Sequence, residues 1–354
     1  MELAQISFLK RLLATPGPSG DEDQAARVWR AEARTFADQV YSDVLGNSFA
    51  VLEGSGPRIL LAGHIDEIGL MISHIDDQGF LFFSPIGGWD AQVLVGQRVR
   101  LLGKNGDVIG VIGKKPIHLL KPDERNQATK IEQMWIDIGA TSKSEASELV
   151  QVGDVGVIDA PVYELPGGRI VSRSIDNRIG AFTVLEALRL LSQNRPNAHV
   201  AAVATTQEEI TFGGATTAAF SFDPQIALVV DVTFATDHPD SDQRQWNVVK
   251  LGGGPVLSRG SANSGRVFRR LVELAECEAI PYSVQISPRY TGTDADAIHH
   301  VREGIASAVI SIPNRYMHSP NEMIALHDVE CAVRLIAAFV HSVSNVSEFI
   351  PQDE

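Results

Sequence analysis

Two adjacent glutamates, Glu208 and Glu209, follow the apolar run AHVAAVAT in the stretch TTQEEITFGGA. A run this rich in alanine and valine predicts a buried strand, whereas carboxylates repel one another and resist leaving water. Along a strand the two side chains would point to opposite faces, but at a strand end both can turn toward one site. Their position therefore indicates a positive charge nearby, and a metal cation would supply one.

Further polar residues lie at the ends of other predicted strands. His64 and Asp66 follow RILLAG, Asp231 ends IALVV, His318 comes shortly after ASAVISIP, and Asp176 opens a long predicted helix. In open α/β sheets the functional groups gather outside the carboxyl ends of the strands. Imidazole and carboxylate ligands of this kind suit zinc, cobalt or manganese, and no cysteine lies close enough in sequence to suggest a thiolate site.

Each of these residues also has a purely structural interpretation. Asp176 could be only the N-cap of its helix, because aspartate is favoured there. His64 could be a hydrogen-bonded core histidine, Asp231 could bind backbone amides of a turn, and His318 could be an exposed loop residue. Two histidines with several carboxylates at corresponding sheet positions favour a shared metal site over these separate explanations.

Composition limits the class of protein. The 354 residues are 44% hydrophobic and carry a formal net charge of −14. The hydrophobic content supports a sizeable core, and the acidic balance argues against nucleic acid as a partner. Glu2 stands where a signal peptide carries positive charge, and no window reads as a membrane span. We therefore expect a cytoplasmic protein with no membrane partner.

The cysteines and a glycine run do not indicate further sites. Cys277 and Cys331 lie in apolar, helix-like surroundings without a CxxC pattern, so both are expected to be buried thiols. The run LGGG at 251–254 could hold an anion on its backbone amides, but it lacks the Lys-Ser/Thr pair of a nucleotide-binding loop. A tight turn is the expected structure there.

The order of the predicted elements indicates an α/β protein. Strands alternate with helices at both ends of the chain, which favours a mainly parallel mixed sheet sandwiched by helices. Between them, short β-rich segments such as QRVRLLG and GDVIGVIG are separated by turns. The sequence thus predicts one α/β domain, residues 1–68 and 166–354, interrupted by a small β-barrel-like domain at 69–165.

Several motifs occur in the order typical of one known family: GHIDEIGLMI, DNRIGA, TTQEE, VVDVTFATDHP, KLGGGPVLSRG, GTDADAIH and IPNRYMHSPNE. With them, nearly the whole chain resembles the dinuclear-metal aminopeptidases that assemble as tetrahedral shells, a group that includes glutamyl and deblocking aminopeptidases. The resemblance implies two divalent metal ions per subunit, with zinc or cobalt favoured and manganese open. It also implies short peptides as substrates.

The resemblance also implies roles for individual residues. His64, Asp176 and Asp231 would hold one metal ion, and Asp176, Glu209 and His318 would hold the other, with Asp176 bridging. Glu208 would be the general base and acid for a water activated by the metals, and Asp66 would orient His64. Two neighbouring glutamates would then serve different purposes, one for metal and one for protons.

One departure from the family pattern affects specificity. Such enzymes often read EEVGLRGA where this chain reads EEITFGGA, so Thr211 replaces a glycine and Gly213 an arginine. The departure leaves the preferred N-terminal residue open. The inserted domain would mediate dimerisation, and dimers would build a dodecamer. Two alternatives remain: a related dinuclear deacylase or deblocking amidohydrolase, and a shell-forming peptide-binding protein without catalysis.

Overall fold

The structure, a computed structural model, describes residues 1–351 apart from the side chains at positions 245 and 246. Its α-helices are α1 (Leu3–Ala14), α2 (Asp23–Ala33), α3 (Ala91–Leu94), α4 (Lys143–Leu149), α5 (Ile175–Gln193), α6 (Glu208–Thr211), α7 (Gly213–Phe222), α8 (Gln243–Trp246), α9 (Gly265–Cys277), α10 (Ala295–Ile298) and α11 (Leu326–Ser342).

The strands follow the same chain order. They are β1 (Gln39–Ser42), β2 (Ser48–Leu52), β3 (Arg58–His64), β4 (Gly69–Ile75), β5 (Leu81–Ile86), β6 (Arg98–Gly103), β7 (Gly106–Lys114), β8 (Met134–Asp137), β9 (Val155–Ile158), β10 (Tyr163–Leu165), β11 (Arg169–Ser172), β12 (His199–Thr205), β13 (Ile226–Phe234), β14 (Val256–Gly260), β15 (Ser283–Ser287), β16 (Ala306–Asn314) and β17 (Glu322–Ala325).

The main sheet has eight strands in the order β1-β2-β12-β3-β13-β16-β14-β15. The central strands β12, β3, β13 and β16 run parallel, while β2 and β14 pair antiparallel with their neighbours in the centre. Their apolar runs, such as AHVAAVAT, are buried throughout, as expected for strands covered on both faces. The predicted mainly parallel mixed sheet with helices on both faces is confirmed.

Two apolar cores cover the faces of this sheet. The larger one joins the sheet to α1, α2, α5, α9 and α11, and the smaller one joins it to α7 and α10. The contact of α5 with β3 depends on small residues, because a Cβ built on Gly63 would lie 2.5 Å from the carbonyl carbon of Gly180. A glycine on the strand lets the helix backbone pack against the sheet at close range.

The inserted segment forms a closed barrel in the order β4-β5-β8-β7-β6-β9, around its own apolar core. The predicted inserted β-barrel is therefore confirmed. Its strands run from Gly69 to Ile158, and β10 pairs instead with β11 in a separate three-stranded sheet. The domain boundaries at 69 and 165, and the barrel's part in dimerisation, stay predictions.

The two cysteines differ in environment. Cys331 is buried as expected, but the prediction for Cys277 is wrong, because its side chain is exposed. The buried row of α9 is Val267, Leu271 and Ala275, and Cys277 lies two positions beyond that row on the solvent side of the helix.

The glycine run at 251–254 forms a turn that holds a carboxylate of the same chain. The backbone N–H groups of Gly252 and Gly254 donate hydrogen bonds of 2.8 and 2.7 Å to the two carboxylate oxygens of Asp328. Asp328 lies in the first turn of α11, so the turn fixes the start of the last helix. Within residues 1–351, no helix combines the length and the apolar character that crossing a membrane requires.

Candidate active site

All seven residues singled out from the sequence converge at one edge of the main sheet. His64 ends β3 and Asp66 follows it, Glu208 and Glu209 open α6 just after β12, and Asp231 lies within β13. His318 follows β16, and Asp176 lies at the start of α5. Because β12, β3, β13 and β16 are adjacent and parallel, their carboxyl ends meet at this edge.

Two groups of side chains here could each hold a metal ion. One consists of His64, Asp176 and Asp231, and the other of Asp176, Glu209 and His318. In each group the three potential ligand atoms lie within 4.8 Å of one another. Oxygen and imidazole donors at this spacing fit a divalent cation such as zinc, cobalt or manganese.

Asp176 belongs to both groups, and its two carboxylate oxygens face different histidines. Oδ1 lies 3.3 Å from Nε2 of His64, and Oδ2 lies 3.3 Å from Nε2 of His318. The structural interpretation of Asp176 as an N-cap does not apply, because Ser174 is the residue at the N-cap of α5. The carboxylate is directed between the histidines instead of toward the helix backbone.

Both histidines present the same ring nitrogen to the carboxylates. Nδ1 of His318 donates to the carbonyl oxygen of Gly88 at 2.8 Å, so Nδ1 carries a proton. Nδ1 of His64 likewise faces the backbone oxygen of Asp66 at 3.2 Å. When Nδ1 carries the proton, a neutral imidazole ring has its lone pair at Nε2, which here faces carboxylate oxygens. The lone pair and the carboxylates repel one another unless a cation lies between them.

The pKa values of the buried side chains show the same deficit of positive charge in the site. Burial and the carboxylate of Asp176 raise the pKa of Glu209 to about 8. Burial raises the pKa of Glu208 and of Asp231 well above their usual range, since each also faces other carboxylates. The pKa of His318 is lowered by burial but raised more strongly by Asp176 and Glu209, to about 9. The side chains alone are thus short of positive charge.

One buried oxygen supports the fit of these residues to a metal ion. Oε1 of Glu209 is buried and has no hydrogen-bond partner among residues 1–351, while Oε2 lies 3.5 Å from Nε2 of His318. An orphaned buried carboxylate oxygen is costly unless a cation or a donor satisfies it. The donor set and this oxygen together fit a divalent metal.

Glu208 lies beside both groups without belonging to either. Its Oε2 is 3.5 Å from Nε2 of His64, and its side chain is largely buried. It also borders an open cleft of about 600 Å³ that His64, Asp176, Glu209, Asp231 and His318 line as well. A carboxylate at this place can exchange protons with a molecule bound in the cleft.

Two further glutamates are part of the site although the sequence reasoning did not identify them. Glu322 is buried, and its carboxylate accepts hydrogen bonds of 2.9 Å from the backbone N–H groups of Asp176 and His318. Glu67 is paired with Arg178 at 2.9 Å and with Arg173 behind the site. Glu322 lies in the motif IPNRYMHSPNE and Glu67 in GHIDEIGLMI. Their place in these motifs was the sequence feature that could have identified them.

Comparison with known proteins identifies the family. The family model of the M42 glutamyl aminopeptidases matches residues 46–335, which is most of the chain. The chain belongs to the M42 family. M42 proteins are metal-dependent peptidases, which agrees with the resemblance read from the motifs and makes the chain a hydrolase of peptide bonds.

Three relatives illustrate how closely this M42 chain follows its family. A lysyl aminopeptidase of Pyrococcus furiosus is 36% identical, over 97% of this chain and 99% of the relative. A crystal structure of a TET aminopeptidase from a marine sediment thaumarchaeote has a TM-score of 0.94 at 36% identity, covering 98% of this chain and 99% of the other. The TET1 peptidase of Pyrococcus horikoshii, described as assembling into a tetrahedron or a large octahedral shell, has a TM-score of 0.86 at 33% identity, covering 96% and 100%.

Proposed function

We propose that this chain is a dinuclear-metal aminopeptidase that releases N-terminal residues from short peptides. The observation that carries the proposal is the position of Asp176, whose two oxygens face His64 and His318 in two separate groups of potential ligands. A carboxylate shared in this way suits two adjacent ions. Glu208 is next to both groups and free of either, which suits a proton carrier.

The residues divide into two ligand sets and one proton carrier. His64, Asp176 and Asp231 would hold one ion, and Asp176, Glu209 and His318 would hold the other. Asp66 orients His64, because its backbone and side-chain oxygens both face Nδ1 of that ring. Nitrogen and oxygen donors without thiolate favour zinc or cobalt and leave manganese possible.

When bound, the two ions supply Lewis-acid polarisation of the scissile carbonyl and acidification of a water. The Glu208 carboxylate accepts a proton from the attacking water as the new carbon–oxygen bond forms. The same carboxyl group returns that proton to the leaving nitrogen as the carbon–nitrogen bond breaks. The products are a free N-terminal amino acid and a peptide shortened by one residue.

The side chains around the reaction also orient the peptide. The cleft beside Glu208 is open on one side and walled by α6, β13 and the 285–293 segment. A peptide entering with its free α-amine against the buried carboxylates brings its first peptide bond next to Glu208. This geometry favours cleavage at the N-terminus.

We also propose a cytoplasmic homo-oligomer in which dimers form through the barrel and build a dodecamer. The shells described for the Pyrococcus horikoshii relative support this assembly. So do Ile109 and Val111, which are exposed at alternating positions of barrel strand β7 and present an apolar surface. Sedimentation with and without metal would measure the assembly directly.

A cleavage experiment with two glutamate-to-glutamine variants, at positions 208 and 209, tests the proposed chemistry. Metal-stripped protein is restored separately with zinc, cobalt and manganese, then offered short peptides with free or acetylated N-termini. The wild type is expected to release residues stepwise from free N-termini. Glu208→Gln should keep its metal content and lose about 10²–10⁴-fold in kcat, whereas Glu209→Gln should lose metal.

Other outcomes would separate the alternatives. Cleavage restricted to acetylated peptides would favour a deacylase or deblocking enzyme on the same site. Failure to cleave any peptide with two metal ions bound per subunit would contradict the enzymatic proposal and leave a shell-forming peptide-binding protein. Equal loss of metal in both glutamate variants would contradict the separate role of Glu208.

A further inference from the structure

The cleft is lined on one part by the candidate metal ligands and Glu208. The rest of its described lining, called here the neutral wall, carries no charge. Beyond the five proposed ligands and Glu208, its described lining includes the apolar side chains Phe212, Val232, Ile286 and Met317, with Tyr290 at the rim. No lysine, arginine or additional carboxylate belongs to the lining that the structure describes. A substrate side chain in this cleft therefore meets apolar carbon and neutral polar groups.

The polar residues of that wall are all neutral, and two of them, Thr233 and Gln285, form a hydrogen-bonded pair. The hydroxyl of Thr233 on β13 donates a hydrogen bond of 2.6 Å to Oε1 of Gln285 on β15. This bond uses the amide oxygen of Gln285 and leaves its NH₂ group as the amide's donor. The pair can accommodate a neutral polar or thioether side chain but offers no ionic partner.

Gly213 removes one charge that the family resemblance led us to expect. It begins α7, and it does not line the cleft; the residue before it, Phe212, does. A Cβ built on Gly213 would lie 2.9 Å from Oγ1 of Thr211, so even a small side chain would press on its neighbour. The position at which the family pattern has arginine therefore adds no charge near the cleft, and the ring of Phe212, which stands where that pattern has leucine, borders it.

From this wall we infer that the subsite next to the metal residues selects neutral N-terminal side chains, in particular apolar aliphatic or aromatic ones. The inference rests on the proposed aminopeptidase function. A lysine or glutamate side chain entering the cleft would lose hydration without gaining a counter-charge, which disfavours both. The carboxylates of the site do not provide that counter-charge, because the metal ions and the proton transfer engage them.

This specificity differs from what the names of the relatives would suggest. The family is that of the M42 glutamyl aminopeptidases, and the Pyrococcus furiosus relative is a lysyl aminopeptidase. A lysyl enzyme needs an acid near its substrate side chain and a glutamyl enzyme needs a base. The described wall of this chain holds neither, so sequence identity of 36% does not carry the preference over.

The test compares p-nitroanilides of leucine, methionine, phenylalanine, glutamine, lysine and glutamate on the metal-loaded enzyme. We expect kcat/KM for leucine, methionine and phenylalanine to exceed that for lysine and glutamate by about tenfold or more, since an unpaired charge in a desolvated site costs at least that factor. A wild type that prefers lysine or glutamate over these neutral residues would overturn the inference and leave the aminopeptidase proposal standing.

A single isosteric substitution makes the test specific for this wall. Gln285→Glu keeps the oxygen that accepts the bond from Thr233 but adds a negative charge. We expect the ratio of kcat/KM for lysine to that for methionine to rise about tenfold. Gln151→Glu, which adds the same charge at an exposed position on the barrel side of the chain, should leave the ratio unchanged.

The outcomes of the variant separate this inference from the function on which it rests. An unchanged lysine-to-methionine ratio in Gln285→Glu would mean that the side chain binds elsewhere, and would overturn the inference. Absence of cleavage for every substrate by fully metal-loaded enzyme would overturn the proposed function, and the inference with it. Neutral preference in the wild type together with a shifted ratio in the variant supports both.

Discussion

The carboxylate of Asp66 accepts a hydrogen bond from the backbone N–H of Glu208, with 3.1 Å between Oδ1 and the nitrogen. Its other oxygen accepts from the backbone N–H of Glu209 at 3.2 Å and from the hydroxyl of Ser19 at 2.5 Å. Asp66 also faces Nδ1 of His64 at 3.3 Å. One buried carboxylate therefore fixes the backbone turn that brings both glutamates to the site.

Asp66→Asn tests this arrangement. The amide keeps one accepting oxygen but directs an NH₂ group at a backbone N–H or at the Ser19 hydroxyl, so at least one donor loses its partner. We expect metal affinity to fall about 10–100-fold, as for other residues that support a metal ligand. Isothermal titration with zinc measures it, and an affinity equal to wild type would contradict the assigned role.

Glu322→Gln tests the second support of the ligands. In the wild type its two oxygens accept hydrogen bonds from the backbone N–H groups of Asp176 and His318, so it joins the start of α5 to the loop that carries His318. The amide leaves one of those N–H groups facing another donor. We expect metal affinity about 10–100-fold lower, with a smaller effect on unfolding of the metal-free protein. Glu348→Gln, at the distant C-terminal end, serves as the control.

Glu22→Gln should change how stability depends on pH. Burial raises the pKa of Glu22 to about 7 from an ordinary value of 4.5, although the N–H groups of Gly20 and Gln207 donate to it. Between those two values the folded state holds a proton that the unfolded chain releases. The carboxyl group therefore makes the protein less stable as pH rises through this range.

We expect the free energy of unfolding of Glu22→Gln to increase relative to that of the wild type as pH rises from about 5 to about 8. The relative increase should be about 1–3 kcal/mol. The amide keeps an oxygen for the same N–H donors. Urea unfolding of metal-free protein at one protein concentration measures it. Glu148→Gln, an exposed residue of α4, should show no such trend. Parallel pH curves for wild type and Glu22→Gln would contradict the prediction.

Gly63→Ala should destabilise the fold at the contact of β3 with α5. The added Cβ would meet the backbone of Gly180 and Ala181 at 2.5 and 2.7 Å, and neither backbone can move without shifting the helix. We expect a loss of about 1–3 kcal/mol or more. Gly265→Ala, whose Cβ would meet only the ends of arginine side chains at 3.6 Å or more, should be neutral in the same thermal melts.

The sequence predicted the fold well where a strand or helix has a simple apolar pattern. The run AHVAAVAT became the buried β12, and the sheet edge brought His64 and Asp231 together because parallel strands end on the same side. It did not predict Glu322, because this residue acts on backbone N–H groups that are distant in sequence. No spacing rule shows which backbone group a glutamate will meet in the folded chain.

The order of the elements along the chain gives the metal site one further property. His64 and Asp176 are in contact, yet the whole barrel from β4 to β9 lies between them in sequence. In addition, Gly88 of the barrel segment accepts the hydrogen bond from Nδ1 of His318. An ion held by His64 and Asp176, as proposed, would therefore join the two ends of the inserted barrel segment and restrict their separation.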